Sequence, residues 1–85
     1  MAQAVTVLLF GPARDVAGRG SIAWAVPEDG IAARALVRSL GERYPRLRRT
    51  LETSRFLRNG RYLASLAVRL DPGDEFAVHP PYGGG

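Results

Sequence analysis

Eighty-five residues make one domain near the lower end of what folds alone. With no cysteine, neither a disulfide nor a thiolate metal site can hold it together. A hydrophobic content of 46% and a mean hydropathy of -0.09 exclude a disordered chain, so packing must supply the stability, about 3–5 kcal/mol for a core this small. The net charge of +4 rests on arginine alone: all 12 basic residues are Arg, and between Arg34 and Arg69 only Glu42 and Glu52 oppose them. That asymmetry allows an acidic partner or nucleic acid. The codon usage of a GC-rich genome explains it without any partner and carries more weight. Either way, the chain has no lysine amine to offer as a nucleophile.

The first apolar run, Val5 to Phe10, is far shorter than the roughly 20 residues of a membrane span. Neither a basic segment before it nor a small-residue cleavage site after it suggests a signal peptide. A cytoplasmic protein is expected. Val5, Val7 and Leu9 share one face of a strand, and Leu8 and Phe10 make its other face apolar, as in a central strand. Gly11-Pro12 should end it, leaving room for one helical turn between Ala13 and Gly20. Ser21 to Val26 alternates as a second strand, antiparallel to the first, with Ile22, Trp24 and Val26 on one side and Ser21, Ala23 and Ala25 on the other.

After Asp29-Gly30 comes the clearest helix. Ala33, Leu36, Val37, Leu40 and Tyr44 keep the spacing of one apolar stripe, and Pro45 stops it. Gly41 costs that helix about 1 kcal/mol relative to Ala. A second helical piece is expected over Arg46 to Glu52, with Leu47 and Leu51 buried. Phe56-Leu57-Arg58, Asn59-Gly60 and Arg61-Tyr62-Leu63 read as a hairpin with a type I′ turn. Leu66-Ala67-Val68 is a short apolar piece before the Asp71-Pro72-Gly73-Asp74 turn, and Glu75 to His79 forms the last strand. The order predicts an α+β fold of the β-grasp kind: a mixed sheet of four to five strands with one main helix packed across it.

The interior offers little chemistry. A serine triad needs a histidine base with an orienting carboxylate, and His79, the one histidine, reads as a polar residue on the outer face of a strand. Asp71, Asp74 and Glu75 come nearest to a metal cluster, but Asp in a Pro-Gly turn is favoured for bonding its own backbone. No metal is expected. Gly11, Gly18 and Gly20 lack the spacing of a phosphate loop. The tail is different. Pro80-Pro81 ends strand pairing and launches the chain in a stiff direction, and Tyr82-Gly83-Gly84-Gly85 follows. Residues 1–80 are therefore assigned to the folded domain and residues 81–85 to a flexible tail. Three glycines can thread a channel too narrow for side chains, reaching roughly 10 Å into a partner, and the group they deliver is the Gly85 carboxylate. Activated by adenylation and attacked by sulfur, it would become a thiocarboxylate.

The chain resembles the MoaD/ThiS family of ubiquitin-like sulfur carriers over essentially its whole length. The resemblance rests on Val5-Thr6-Val7-Leu8-Leu9-Phe10-Gly11-Pro12-Ala13-Arg14-Asp15-Val16-Ala17-Gly18, on Arg43-Tyr44-Pro45 and on the Asn59-Gly60 turn. It continues through Leu70-Asp71-Pro72-Gly73-Asp74-Glu75 and closes with Val78-His79-Pro80-Pro81 and the terminal glycines. Pro80-Pro81 favours the molybdopterin branch. The resemblance implies a ubiquitin-like fold and a non-catalytic sulfur-carrying role, with Gly85 as the reacting terminus. Pro81, Tyr82, Gly83 and Gly84 would thread into a large catalytic subunit of molybdopterin synthase (MoaE-like). A MoeB-like enzyme would adenylate Gly85 with its own ATP, and no cofactor is expected on this chain.

Three departures stand out. Gly83 replaces a usual Ser or Thr, His79 a usual apolar residue, and Ile31 a capping Thr that Asp29 would have to substitute. Docking is assigned to Phe10, Tyr62 and His79, together with Tyr82. The plainer alternative makes these aromatic residues ordinary core or scattered surface. Other pathways (tRNA thiolation, cysteine or thiamin synthesis), protein modification and an Arg-rich binding module remain as alternatives. For single-strand nucleic acid, the stacking candidates Tyr62, Phe56 and Trp24 have the periodicity of core residues, so that partner is disfavoured.

Overall fold

Alternation of β-branched and aliphatic residues makes Ala4–Leu9 a strand, β1, whose Val5, Val7 and Leu9 are buried. The computed structural model describes residues 3–81. Helix α1 spans Gly11–Ala17, longer than the single turn expected from Ala13. Pro12 does not merely end the strand; it occupies the first turn of the helix, where its missing N–H costs nothing. Gly18 closes α1 in a left-handed conformation, donating to the Arg14 carbonyl at 2.8 Å.

The second strand, β2, covers Ser21–Ala25. Ile31–Ala32 forms a two-residue strand, β3, which runs into the main helix α2, Ala33–Arg43. A turn of 3-10 helix, Pro45–Leu47, leads to α3, Arg48–Thr53. Strands β4 (Arg55–Arg58) and β5 (Arg61–Tyr62) form the expected hairpin, with Asn59 and Gly60 at φ 50° and 84°. The last two strands are β6 (Arg69–Leu70) and β7 (Glu75–His79).

The main sheet runs β2-β1-β7-β4-β5, with β1 and β7 parallel and the other pairs antiparallel, while β3 and β6 pair apart from it. This is the expected β-grasp. One sheet face carries Val5, Val7, Phe76 and Val78, and α2 turns Ala33, Leu36 and Leu40 into the same core with no residual exposure. Each such leucine contributes about 1.5–3 kcal/mol through burial. Phe56 and Phe76 stack at 5.4 Å within it, and Leu47 and Leu51 bury their side chains as predicted.

Neither Ile31 nor Asp29 caps α2. Ala32 stands at the cap position without a side-chain bond. Instead the Ala33 N–H donates to the Val68 carbonyl at 2.8 Å and the Arg34 N–H to the Leu66 carbonyl at 3.2 Å. The Leu66–Val68 segment thus satisfies the donors that a cap would have served. Gly41 also has a reason beyond propensity: its carbonyl accepts from Arg48 Nε at 3.0 Å, and a Cβ there would come within 3.2 Å of Arg48 Cγ. A larger residue here would need Arg48 to shift by a few tenths of an ångström. Gly30, at φ 87°, lies so near β6 that a Cβ would overlap the Leu70 carbonyl oxygen.

At the start of β7, Asp74 ties three segments together. Its carboxylate accepts from the Asp71 N–H at 2.7 Å, from Arg58 Nε at 2.9 Å and from Asn59 Nδ2 at 3.0 Å. Burial alone would raise the Asp74 pKa. The hydrogen bonds from Asn59, Asp71 and Arg58, together with the Arg58 charge, outweigh it and hold the carboxyl below the usual range. The acidic turn is therefore an architectural clamp, at the end of β7 remote from Pro80. Among the described residues, no helix is long and apolar enough to cross a membrane.

Candidate functional site

The second face of the sheet is where the structure departs from a fully enclosed one. Register places Leu8, Ala77, Leu57 and Tyr62 in one row across β1, β7, β4 and β5. A second row toward the end of β7 pairs His79 with Arg55 and, one step past Leu9–Val78, sets Phe10 beside His79. Phe10 is 46% exposed and Tyr62 56% exposed, so Tyr62 is not the core residue that its periodicity suggested. Its strand has only two residues and lies at the sheet edge, and pairing with Leu57 turns the ring outward. Phe56, by contrast, is buried, and Trp24 is partly buried against the core.

The three residues assigned to docking meet. His79 lies between Phe10 and Tyr62, edge-on to both, with ring centroids 5.9 and 6.2 Å away. A 3.3 Å hydrogen bond joins the Tyr62 hydroxyl to His79 Nδ1, the hydroxyl donating when that nitrogen carries no proton. Sequence reasoning missed Arg55, whose guanidinium sits 5.7 Å from the Tyr62 ring centroid. It also missed that Leu8, Leu57 and Ala77 floor a groove of about 270 Å³ between the aromatic residues. The signal was available in principle: Leu57 and Tyr62 are equidistant from the Asn59-Gly60 turn, which forces them opposite one another.

A second groove, about 310 Å³, continues from Tyr62 and His79 past Arg55 and Thr53 to Pro80 and Pro81. The exposed face therefore extends, with mixed polar and apolar lining, to the point where the chain leaves the sheet. Of the tail residues, Pro81 lies at that groove; Tyr82, Gly83, Gly84 and Gly85 fall outside the described residues. Among the described residues no polar or charged side chain is buried and no three His, Asp or Glu groups converge. What the arrangement offers is an exposed amphipathic face that reaches Pro80 and Pro81.

Residues 7–85 match the model of the ThiS family. The chain belongs to the ThiS/MoaD family of ubiquitin-like sulfur carriers. Within it, the molybdopterin synthase sulfur carrier subunit of Dictyostelium discoideum is 33% identical over 86 residues, which cover 100% of both chains. Two solved structures extend the likeness. SAMP1 of Haloferax volcanii superposes with a TM-score of 0.78 at 30% identity, over 96% of this chain and 99% of that one. A Pyrococcus furiosus protein provisionally described as molybdopterin converting factor subunit 1 gives 0.81 at 26% identity, over 94% and 99%. In this ThiS/MoaD chain, Arg55 and His79 make the exposed aromatic face partly polar.

Proposed function

We propose that this chain is the small, sulfur-carrying subunit of a molybdopterin synthase. The full-length identity with the Dictyostelium subunit carries the proposal, and the exposed aromatic face running to Pro81 supports it. In this reading the Gly85 carboxylate attacks the α-phosphate of ATP held by an adenylating partner, and pyrophosphate leaves. Sulfur from a donor then displaces AMP, so a C–S bond replaces the acyl–phosphate linkage. The thiocarboxylate enters the large subunit on the threaded segment Pro81 to Gly84 and gives its sulfur to a cyclic pyranopterin precursor; water replaces that sulfur on the Gly85 carbonyl carbon, and a second thiocarboxylated chain supplies the second sulfur of the dithiolene. The large subunit supplies the catalytic side chains, ATP stays with the activating enzyme, and the setting is the cytoplasm. Phe10, Tyr62 and His79 form the docking surface.

The similarity to SAMP1 favours one second reading, a protein modifier joined to other proteins through Gly85. Because the sequence lacks lysine, such a modifier could not be extended through a lysine of its own. Reconstitution separates the two. Thiocarboxylated chain mixed with the large subunit and the pyranopterin precursor should yield the dithiolene product, with the chain released carrying an ordinary carboxylate. Absence of product, with the activated chain instead accumulating on lysines of other proteins, would reject the synthase reading in favour of the modifier.

A further inference from the structure

The main sheet has two edges, and the sequence treats them differently. At one end β5 is only two residues long and carries Arg61, a short charged edge of the kind that resists unwanted pairing. At the other end β2 runs for five residues, Ser21-Ile22-Ala23-Trp24-Ala25, with no charge and no proline. The Leu9 N–H donates to the Gly20 carbonyl and the Val26 N–H to the Gln3 carbonyl. In the antiparallel register this assigns Gly20, Ile22, Trp24 and Val26 to bonding with β1. The N–H and C=O of Ser21, Ala23 and Ala25 consequently point away from the sheet. Among the described residues no turn, loop or side-chain hydrogen bond reaches them.

Beside this edge lies a groove of about 670 Å³ whose lining includes Arg19, Arg43, Trp24 and Tyr44 and no carboxylate. Arg14 adds a third guanidinium against Gly20, at the start of the strand. An open ladder next to an arginine-lined aromatic trough fits an extended chain with acidic side chains. A second copy of this chain, with its net charge of +4, matches the arginines less well than an acidic segment does. We propose that the free edge of β2 is a strand-addition site for an extended acidic segment of a partner protein. Main-chain bonds to Ser21, Ala23 and Ala25 supply the pairing, and Arg19 and Arg43 select the charge. The site lies beyond β1 from the strand that leads to Gly85, so it would recruit a further partner without using the tail.

The test uses the full chain, labelled with 15N, and two short capped peptides, one alternating Glu with Val and one alternating Lys with Val. The acidic peptide should shift the Ser21, Ala23 and Ala25 amide resonances, slow their hydrogen exchange, and bind more weakly as salt rises. The Arg19→Glu, Arg43→Glu double variant should lose about tenfold or more in affinity. Ala23→Pro removes an outward N–H without touching the ladder to β1, and should abolish binding while leaving thiocarboxylate formation at Gly85 unchanged. If that variant misfolds, the arginine variant still decides. Equal binding of the basic peptide, or shifts confined to the Phe10–Tyr62 face, would overturn the proposal. So would a dimer of the chain protecting the same amides without peptide.

Discussion

Replacing Tyr62 with alanine should damage docking and spare folding. An aromatic side chain offers about 150–250 Å², and Tyr62 is 56% exposed, which leaves roughly 110 Å² for a partner to cover. At about 25 cal/mol per Å² that area is worth about 2.8 kcal/mol, or roughly 100-fold in affinity. Incomplete conversion of area into binding lowers the expectation to about 10- to 100-fold. Phe10, 46% exposed, should behave similarly and slightly less strongly. Folding stability should fall by less than about 1 kcal/mol, because Tyr62 contributes only an exposed bond to His79 and a surface contact with Arg55. Calorimetric titration of the large synthase subunit with Tyr62→Ala and Phe10→Ala, beside urea unfolding of each variant, measures both quantities. Unchanged affinity in a folded Tyr62→Ala protein would refute the docking assignment. A stability loss above about 2 kcal/mol would show instead that the ring is structural.

Gly30→Ala should cost about 2–5 kcal/mol, combining a left-handed residue with a Cβ driven into the Leu70 carbonyl. Gly60→Ala, at similar φ but with nothing within 4 Å, should cost only about 1–2 kcal/mol. Unfolding midpoints followed through Trp24 fluorescence give the difference, and equal costs would show that β6 simply moves aside. Asp74 has a lowered folded pKa, so its stabilisation is present above the unfolded value near 3.9 and is lost as pH falls through the folded value. Asp74→Asn should therefore be less stable than the parent at pH 6 and converge with it in acid. A constant gap across that range would remove Asp74 from the acid response.

The elements legible in the sequence were those with strong local signals. Helix α2 announced itself by its apolar stripe and Pro45, the hairpin by Asn59-Gly60, and the central strand by alternation around Val7. Pairing of β3 with β6 was hidden because each strand has two residues and their partnership spans the whole helical region. The same nonlocality concealed the start of α2, whose donors are met by Leu66 and Val68 carbonyls rather than by a nearby side chain. At the candidate site, Phe10, Tyr62 and His79 could be named from their types and their nearness to the tail. Their meeting on one face depends on strand order, which places β7 between β1 and β4. Arg55 escaped notice because its role comes from the register that sets it opposite His79 and from the nearby Tyr62 ring.

Intact-mass spectrometry of the full chain, before and after incubation with an adenylating enzyme, ATP and a sulfur donor, tests the sulfur-carrying assignment of Gly85 most directly. A sulfur carrier should gain the mass difference of one oxygen replaced by sulfur, and the gain should be absent when Gly85 is deleted. No gain with an enzyme that thiolates another carrier under the same conditions, or a gain that persists without Gly85, would contradict it.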